Sequence, residues 1–341
     1  MSWLYLTSGL FLGWSLGAND AANLFGTAVA TRMLKFRTAA LVGSVFVVLG
    51  ALAGAHGTTK TLGRLGAIDA PAGAFMVALA AALAVVLLLT RTSLPVSITQ
   101  AIVGAILGWN LFTGRPTDAK ALTQLLSSWL ISPLLAGAIA AGLFLLTRAW
   151  LQRRRVHLLE VDAWTRAALL AAGAFGAFGL GLNDIANVMG VFVRVSPFPE
   201  TTRLGPLSAT NVEALFLLGG LAIAAGICTY SNRVMLRLGS GLASLSPLAA
   251  LLVVLSAAIV LFLFGSPALQ RLLHAWHLPG WPLVPVSATQ SVVGAILGIS
   301  LARRTGIRLK PLGEIAVGWV VAPVAALTFA LVGLFVVQNV F

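Results

Sequence analysis

Gly17-Ala18-Asn19-Asp20-Ala21-Ala22-Asn23 sets a carboxylate and two carboxamides inside an apolar run that extends from about residue 3 to residue 30. An ionisable side chain near a bilayer centre costs a few kcal/mol or more, so an Asp in such a run marks a functional site and calls for a partner. That partner is Gly181-Leu182-Asn183-Asp184-Ile185-Ala186-Asn187, 164 residues later, which repeats the Gly, Asn, Asp, Ala and Asn. Asn19 and Asn23 are four apart and share a helix face, with Asp20 about 100° round from Asn19. A local unwinding after Gly17 would free carbonyl oxygens to join these side chains around a cation, as discontinuous membrane helices do.

A second repeated stretch supplies different chemistry. From Pro95 to Gly108 and from Pro285 to Gly298, 11 of 14 positions are identical at an offset of 190. Each copy opens Pro-Val-Ser-x-Thr-Gln, and a Pro followed by Ser and Thr reads as a helix start or the tip of a re-entrant hairpin. Such a start presents unpaired N–H groups and the positive end of the helix dipole, which suits a tetrahedral oxyanion. Ser97, Thr99 and Gln100, with Ser287, Thr289 and Gln290, add hydrogen-bond donors without adding charge.

The elements that position these residues must be membrane helices. The chain of 341 residues is 59% hydrophobic and 9% charged, with a mean hydropathy of +0.99, which excludes an ordinary soluble domain. Ten apolar segments near the required length fall at about 3 to 30, 38 to 56, 72 to 90, 93 to 111, 121 to 147, 167 to 193, 209 to 230, 240 to 266, 283 to 300 and 313 to 337. With the N-terminus outside and every segment crossing, Lys and Arg divide 15 inside to 7 outside. The net charge of +13 therefore signals topology and lipid headgroups, and no nucleic-acid partner is expected. Lys60, Arg64, Arg194 and Arg271 fall on the outside, and Arg155 on the inside. The single Cys228 excludes an internal disulfide.

Trp129 to Pro133 is echoed by Trp319 to Pro323, again at an offset of 190, so the chain is a tandem duplication. Residues 1–147 form the first transmembrane repeat, 148–166 a basic cytoplasmic linker and 167–341 the second repeat. The expected fold is an all-α polytopic membrane protein of two repeats, each of about five hydrophobic segments, with broken helices or re-entrant hairpins at the midplane. Five crossings per half is an odd number and would invert the second repeat, provided that segments 93–111 and 283–300 cross fully. Glu213 is expected as an interfacial or interhelical polar residue.

The paired G-x-N-D-x-A-N and P-V-S-x-T-Q motifs resemble the inorganic phosphate transporter (PiT) family, and the resemblance covers both halves. It implies an inverted-repeat secondary transporter that takes up phosphate with a coupling cation, sodium or alternatively protons. Carried over by motif, Asn19, Asp20, Asn23, Asn183, Asp184 and Asn187 would serve the cation, with Asp20 and Asp184 also facing the substrate. Ser97, Thr99, Gln100, Ser287, Thr289 and Gln290 would hold the anion. Ile98 and Ala288 stand where members often have a further Ser or Thr, Gln100 and Gln290 where they often have His, and Leu182 where Ala is commoner.

Charge gives the mechanism its outline. Two carboxylates would repel a bare oxyanion, so a cation between carboxylate and substrate is a physical requirement. Phosphate at neutral pH carries a proton that a carboxylate can accept, and sulfate carries none, which favours phosphate and leaves sulfate as the alternative. A channel is a further alternative. No enzymatic activity and no cofactor beyond the coupling ion are expected. The partners are phosphate and the bilayer, with a homo-oligomer open. The expected location is a prokaryotic inner membrane, with both termini outside.

Overall fold

The structure is a computed structural model that describes residues 2–54, 57–92, 95–154, 158–204, 207–238, 245–304 and 306–340. Arg155, counted above among the basic residues of the linker, lies outside the described residues. The first half contains α1 (Leu6–Ala30), α2 (Phe36–Ala53), α3 (Thr59–Leu65), α4 (Pro71–Thr92), α5 (Ile98–Thr113) and α6 (Ala119–Arg154). The second contains α7 (Leu158–Met189), a hairpin of β1 (Thr201–Leu204) and β2 (Leu207–Thr210), then α8 (Asn211–Thr229), α9 (Ser231–Leu238), α10 (Pro247–Gly265), α11 (Pro267–Ala275), α12 (Ala288–Arg303) and α13 (Leu309–Val340).

Ten of these helices fall on the ten apolar segments, because a chain in lipid must satisfy its backbone polar groups within itself. Among the described residues, seven are long and apolar enough to cross a membrane: α2, α4, α6, α7, α8, α10 and α13. The protein is a multi-pass membrane protein. α1 has the length, at 25 residues, but its Asn-Asp-x-x-Asn lowers its hydropathy. α5 and α12 have 16 residues each, about 24 Å of helix, short of a hydrocarbon core of about 30 Å. The polar sequence between α6 and α7 is helical to Arg154 and again from Leu158.

The two halves interlock with an internal exchange symmetry. α2 packs on α7 as α8 packs on α1, α12 on α6 as α5 on α13, and α10 on α7 as α4 on α1. The offset between corresponding residues grows from 164 to 190 because the second half adds the β1–β2 hairpin before α8 and α11 after α10. The hairpin, paired Thr201 to Thr210 and Leu204 to Leu207, departs from a purely helical fold.

α5 is antiparallel to α4: the Trp109 ring lies against Gly73 near the start of α4, and Asn110 Nδ2 donates to Leu65 O at 2.9 Å. Arg115, just past α5, donates to Asp69 Oδ2 at 2.8 Å. Pro95 to Ser97 is not helical and ends on the extended N-cap Ser97, and residues 283–287 before α12 likewise end on the extended N-cap Ser287.

One expectation is corrected. α1 and α7 run unbroken through both Asn-Asp motifs, and no unwinding follows Gly17. Gly17 and Gly181 serve close approach instead. A Cβ at Gly17 would overlap the Ile223 carbonyl of α8, and one at Gly181 would overlap the Val47 carbonyl of α2.

Candidate functional site

Two sets of polar side chains meet in the centre of the helix bundle, each drawn from both halves. α1 presents Asn19, Asp20 and Asn23, with relative exposures of 0%, 4% and 4%, and α7 presents Asn183, Asp184 and Asn187, at 0%, 2% and 0%. The starts of α5 and α12 are equally buried.

The segments before α5 and α12 are held in place by asparagines. Asn19 Nδ2 donates to Val96 O at 2.7 Å, and Val96 N returns a bond to Asn19 Oδ1 at 3.1 Å. In the other half Val286 N donates to Asn183 Oδ1 at 2.9 Å, while Asn183 Nδ2 reaches Val284 O at 3.4 Å. A buried backbone without such partners would be costly, so Asn19 and Asn183 are tethers that make an unwound segment tolerable beside α1 and α7. Their carboxamides are occupied in that work.

Ser97 and Ser287 cap their own helices. The Ser97 hydroxyl accepts from Gln100 N at 3.4 Å and Ser287 from Gln290 N at 3.3 Å, the N-cap to N3 geometry. Pro95 and Pro285 lie two residues before the cap and not in the first turn. Each cap satisfies one of the four amides that a helix start leaves unpaired.

The carboxylates are engaged crosswise. Asp20 Oδ1 accepts from Asn19 Nδ2 at 2.9 Å and Asn23 Nδ2 at 2.8 Å, and lies 3.4 Å from the hydroxyl of Thr289 in the opposite half. Asn23 Nδ2 also donates to Thr289 Oγ1 at 3.1 Å. Asp184 Oδ1 accepts from Asn187 Nδ2 at 2.7 Å, and Asn187 donates in turn to Thr99 Oγ1 at 2.9 Å. The Thr99 hydroxyl stands 3.3 Å from Val286 O and 3.5 Å from Asp184 Oδ1. Each half's threonine therefore completes the other half's carboxylate cluster.

What these bonds leave over is acceptor oxygen. Asn23 Oδ1, Asn187 Oδ1, Gln100 Oε1, Gln290 Oε1 and Asp184 Oδ2 are buried and have no hydrogen-bond partner. Five orphaned oxygens in one polar cluster are far from the usual rule that buried polar atoms are paired. Hard cations take oxygen ligands of this type, so the residues fit a small metal ion such as sodium better than they fit an anion alone. All twelve residues expected from the sequence come together here. The sequence did not point to Val96 and Val286, whose backbone groups link the asparagines to the helix starts.

Several residues lie elsewhere. Thr210 and Glu213 form a capping box at the start of α8, with Thr210 N donating to Glu213 Oε2 at 2.8 Å and Glu213 N to Thr210 Oγ1 at 3.2 Å. The spacing Thr-x-x-Glu before an apolar run carries that signal. Asn110 near the end of α5 is also buried, and its second bond goes to Thr117 Oγ1 at 3.0 Å.

Comparison with known proteins bears on this geometry. Residues 16–330 match the sequence profile of the phosphate transporter family. A protein designated a candidate phosphate permease in Methanocaldococcus jannaschii is 28% identical over 95% of this chain and 94% of its own. A similarly designated protein of Thermococcus kodakarensis is 26% identical over 96% of each. Among solved structures, one described as the sodium-dependent phosphate transporter superposes with a TM-score of 0.76 at 20% identity, covering 100% of this chain and 99% of that one. At that identity the likeness speaks for the fold.

Proposed function

The chain belongs to the phosphate transporter family, and from that premise we propose that it is a secondary transporter that takes up inorganic phosphate with sodium by alternating access. The observation that carries the reading is the crossed pair of carboxylate, carboxamide and threonine clusters, whose residues and the neighbouring Gln100 and Gln290 keep buried acceptor oxygens without a partner. The solved relative's sodium dependence agrees with it.

In this reading sodium ions sit on Asp20, Asp184 and the free oxygens of Asn23, Asn187, Gln100 and Gln290. Bound cations offset the carboxylate charge and make the centre attractive to an oxyanion. Phosphate is then held at the starts of α5 and α12, where the first-turn amides and the dipole favour an anion and the threonine hydroxyls add donors. A hydrogen phosphate dianion keeps one O–H, which a carboxylate oxygen accepts. Sulfate lacks that donor and fits less well.

The internal exchange symmetry supports alternating access. α5 ends beside the start of α4, so this pair returns to the face it left; if α10 and α12 do the same, each half makes an odd net number of crossings and the second half enters from the opposite side. Both termini then share one face of a prokaryotic cell membrane, the outer face by the distribution of Lys and Arg. Each carboxylate cluster spans both halves, so a relative rotation of the halves strains both clusters together. Bound ions and phosphate would set which arrangement is favoured through their differential contacts.

The test is uptake of labelled phosphate into proteoliposomes with and without an inward sodium gradient, in competition with unlabelled phosphate or sulfate. The reading predicts sodium-stimulated uptake that phosphate blocks and sulfate does not. Uptake driven by a proton gradient alone would remove sodium from the account, and block by sulfate would reassign the substrate.

A further inference from the structure

Two adjoining cavities open at the end of the molecule that carries α3 and α11. The larger, about 410 Å³, is lined by Lys60, Thr61 and Arg64 of α3, Gln270 and Arg271 of α11, and Leu283. The second, about 300 Å³, shares Lys60 and Arg64 and adds Arg194 from the turn after α7. Neither lining includes an acidic residue, and among the described residues none of these four cations makes an ion pair. Arg115 is paired with Asp69 by contrast, and that hydrogen bond, with Arg194's charge adding to it, holds the Asp69 carboxyl below its usual range.

The floor of the larger cavity touches the site below. Thr61 Oγ1 donates to Leu283 O at 2.8 Å, and Leu283 leads directly into Val284 and Val286, the backbone partners of Asn183. Thr58 Oγ1 donates to Asn183 O itself at 3.1 Å.

We propose that this basic vestibule is a second, shallow binding site for a free phosphate oxyanion, which gathers the substrate above the floor formed by Thr61 and Leu283 before it passes to the deep site. The proposal rests on the reading of the deep site given above. Unpaired cations around a cavity of this size focus the field of the surface and raise the local anion concentration. For a dianion held on the order of 9 Å from each of three such charges at physiological salt, removing them would lower that concentration about fivefold.

The test has two arms. In proteoliposomes, Lys60→Gln/Arg64→Gln/Arg271→Gln is expected to raise the apparent KM for phosphate about fivefold and to flatten the dependence of low-phosphate uptake on ionic strength; wild-type values of both overturn the proposal. Absence of uptake by the wild-type protein would instead defeat the reading of the deep site. The vestibule is then judged by equilibrium dialysis of labelled inorganic phosphate against the Asp20→Asn/Asp184→Asn protein in lipid-free detergent. Weak, salt-sensitive binding that disappears when the three cations are also replaced supports the vestibule, and no binding overturns it. A short-chain anionic phospholipid that displaces the label at lower concentration than phosphate assigns the pocket to a headgroup and also overturns the proposal.

Discussion

Gly104 and Gly294 are positions where the packing of the two short helices α5 and α12 leaves no room for a side chain. A Cβ at Gly104 of α5 would overlap the Pro323 carbonyl of α13, and one at Gly294 of α12 would overlap the Pro133 carbonyl of α6. In a free helix Ala is better than Gly by about 1 kcal/mol. Overpacking costs about 1–3 kcal/mol, and a helix carbonyl cannot swing aside as a flexible side chain can, so the upper end applies. Gly104→Ala and Gly294→Ala should each lose about 2 kcal/mol net. Gly142→Ala on α6 and Gly318→Ala on α13, where nothing lies within 4 Å, should be neutral or slightly stabilising. To relieve the overlap α5 and α13 must part by on the order of 1 Å. Thr99, in the first turn of α5, stands 3.5 Å from Asp184, so the shift breaks the crossed cluster. A misplacement of about 1 Å can cost roughly 100-fold in a positioned reaction, and a loss of transport on that order is expected. Tryptophan-fluorescence melting in detergent and phosphate uptake in proteoliposomes read the two effects. Variants at Gly104 and Gly294 that melt and transport like those at Gly142 and Gly318 would refute the packing on which the site depends.

Asp20→Asn and Asp184→Asn should each greatly reduce sodium-driven uptake while the protein still inserts and melts normally; wild-type uptake in either removes that carboxylate from the site. Thr289→Val takes away the hydroxyl that accepts from Asn23, a loss of about 1 kcal/mol or roughly fivefold in kcat/KM. Thr289→Ser should restore it, and a failure of Ser to rescue would mean that the methyl group and not the hydroxyl is required. Ser97→Ala and Ser287→Ala remove N-caps worth about 1 kcal/mol each and should weaken apparent phosphate affinity more than sodium dependence. The reverse pattern, read from uptake titrated with each ion, would exchange the two ligand sets.

The residues of the candidate site stand out in the sequence because their chemistry is out of place in lipid. Asp20 and Asp184 stand in apolar runs, and the duplication of both motifs marks them as one construction. The crossed partnership was not legible. Spacing within one half cannot say that Thr99 serves Asp184 and Thr289 serves Asp20, since that depends on how the halves interlock. Gly17 misled for a related reason, because a glycine reads the same whether the chain must unwind or a neighbouring carbonyl must come close. The unwinding lies at Pro95 and Pro285 instead, where Asn19 and Asn183 satisfy the exposed backbone. Lys60, Arg64 and Arg271 read as topology signals alone, and only the fold brings them around one cavity.

Coupled flux tests the central claim most directly. Phosphate-dependent uptake of labelled sodium would be measured in proteoliposomes of the wild-type protein and of Asp184→Asn, with labelled phosphate followed in parallel. The account predicts that in wild type each ion stimulates uptake of the other, and that Asp184→Asn loses both fluxes together. Phosphate uptake at the wild-type rate without sodium, or sodium uptake indifferent to phosphate, would contradict it.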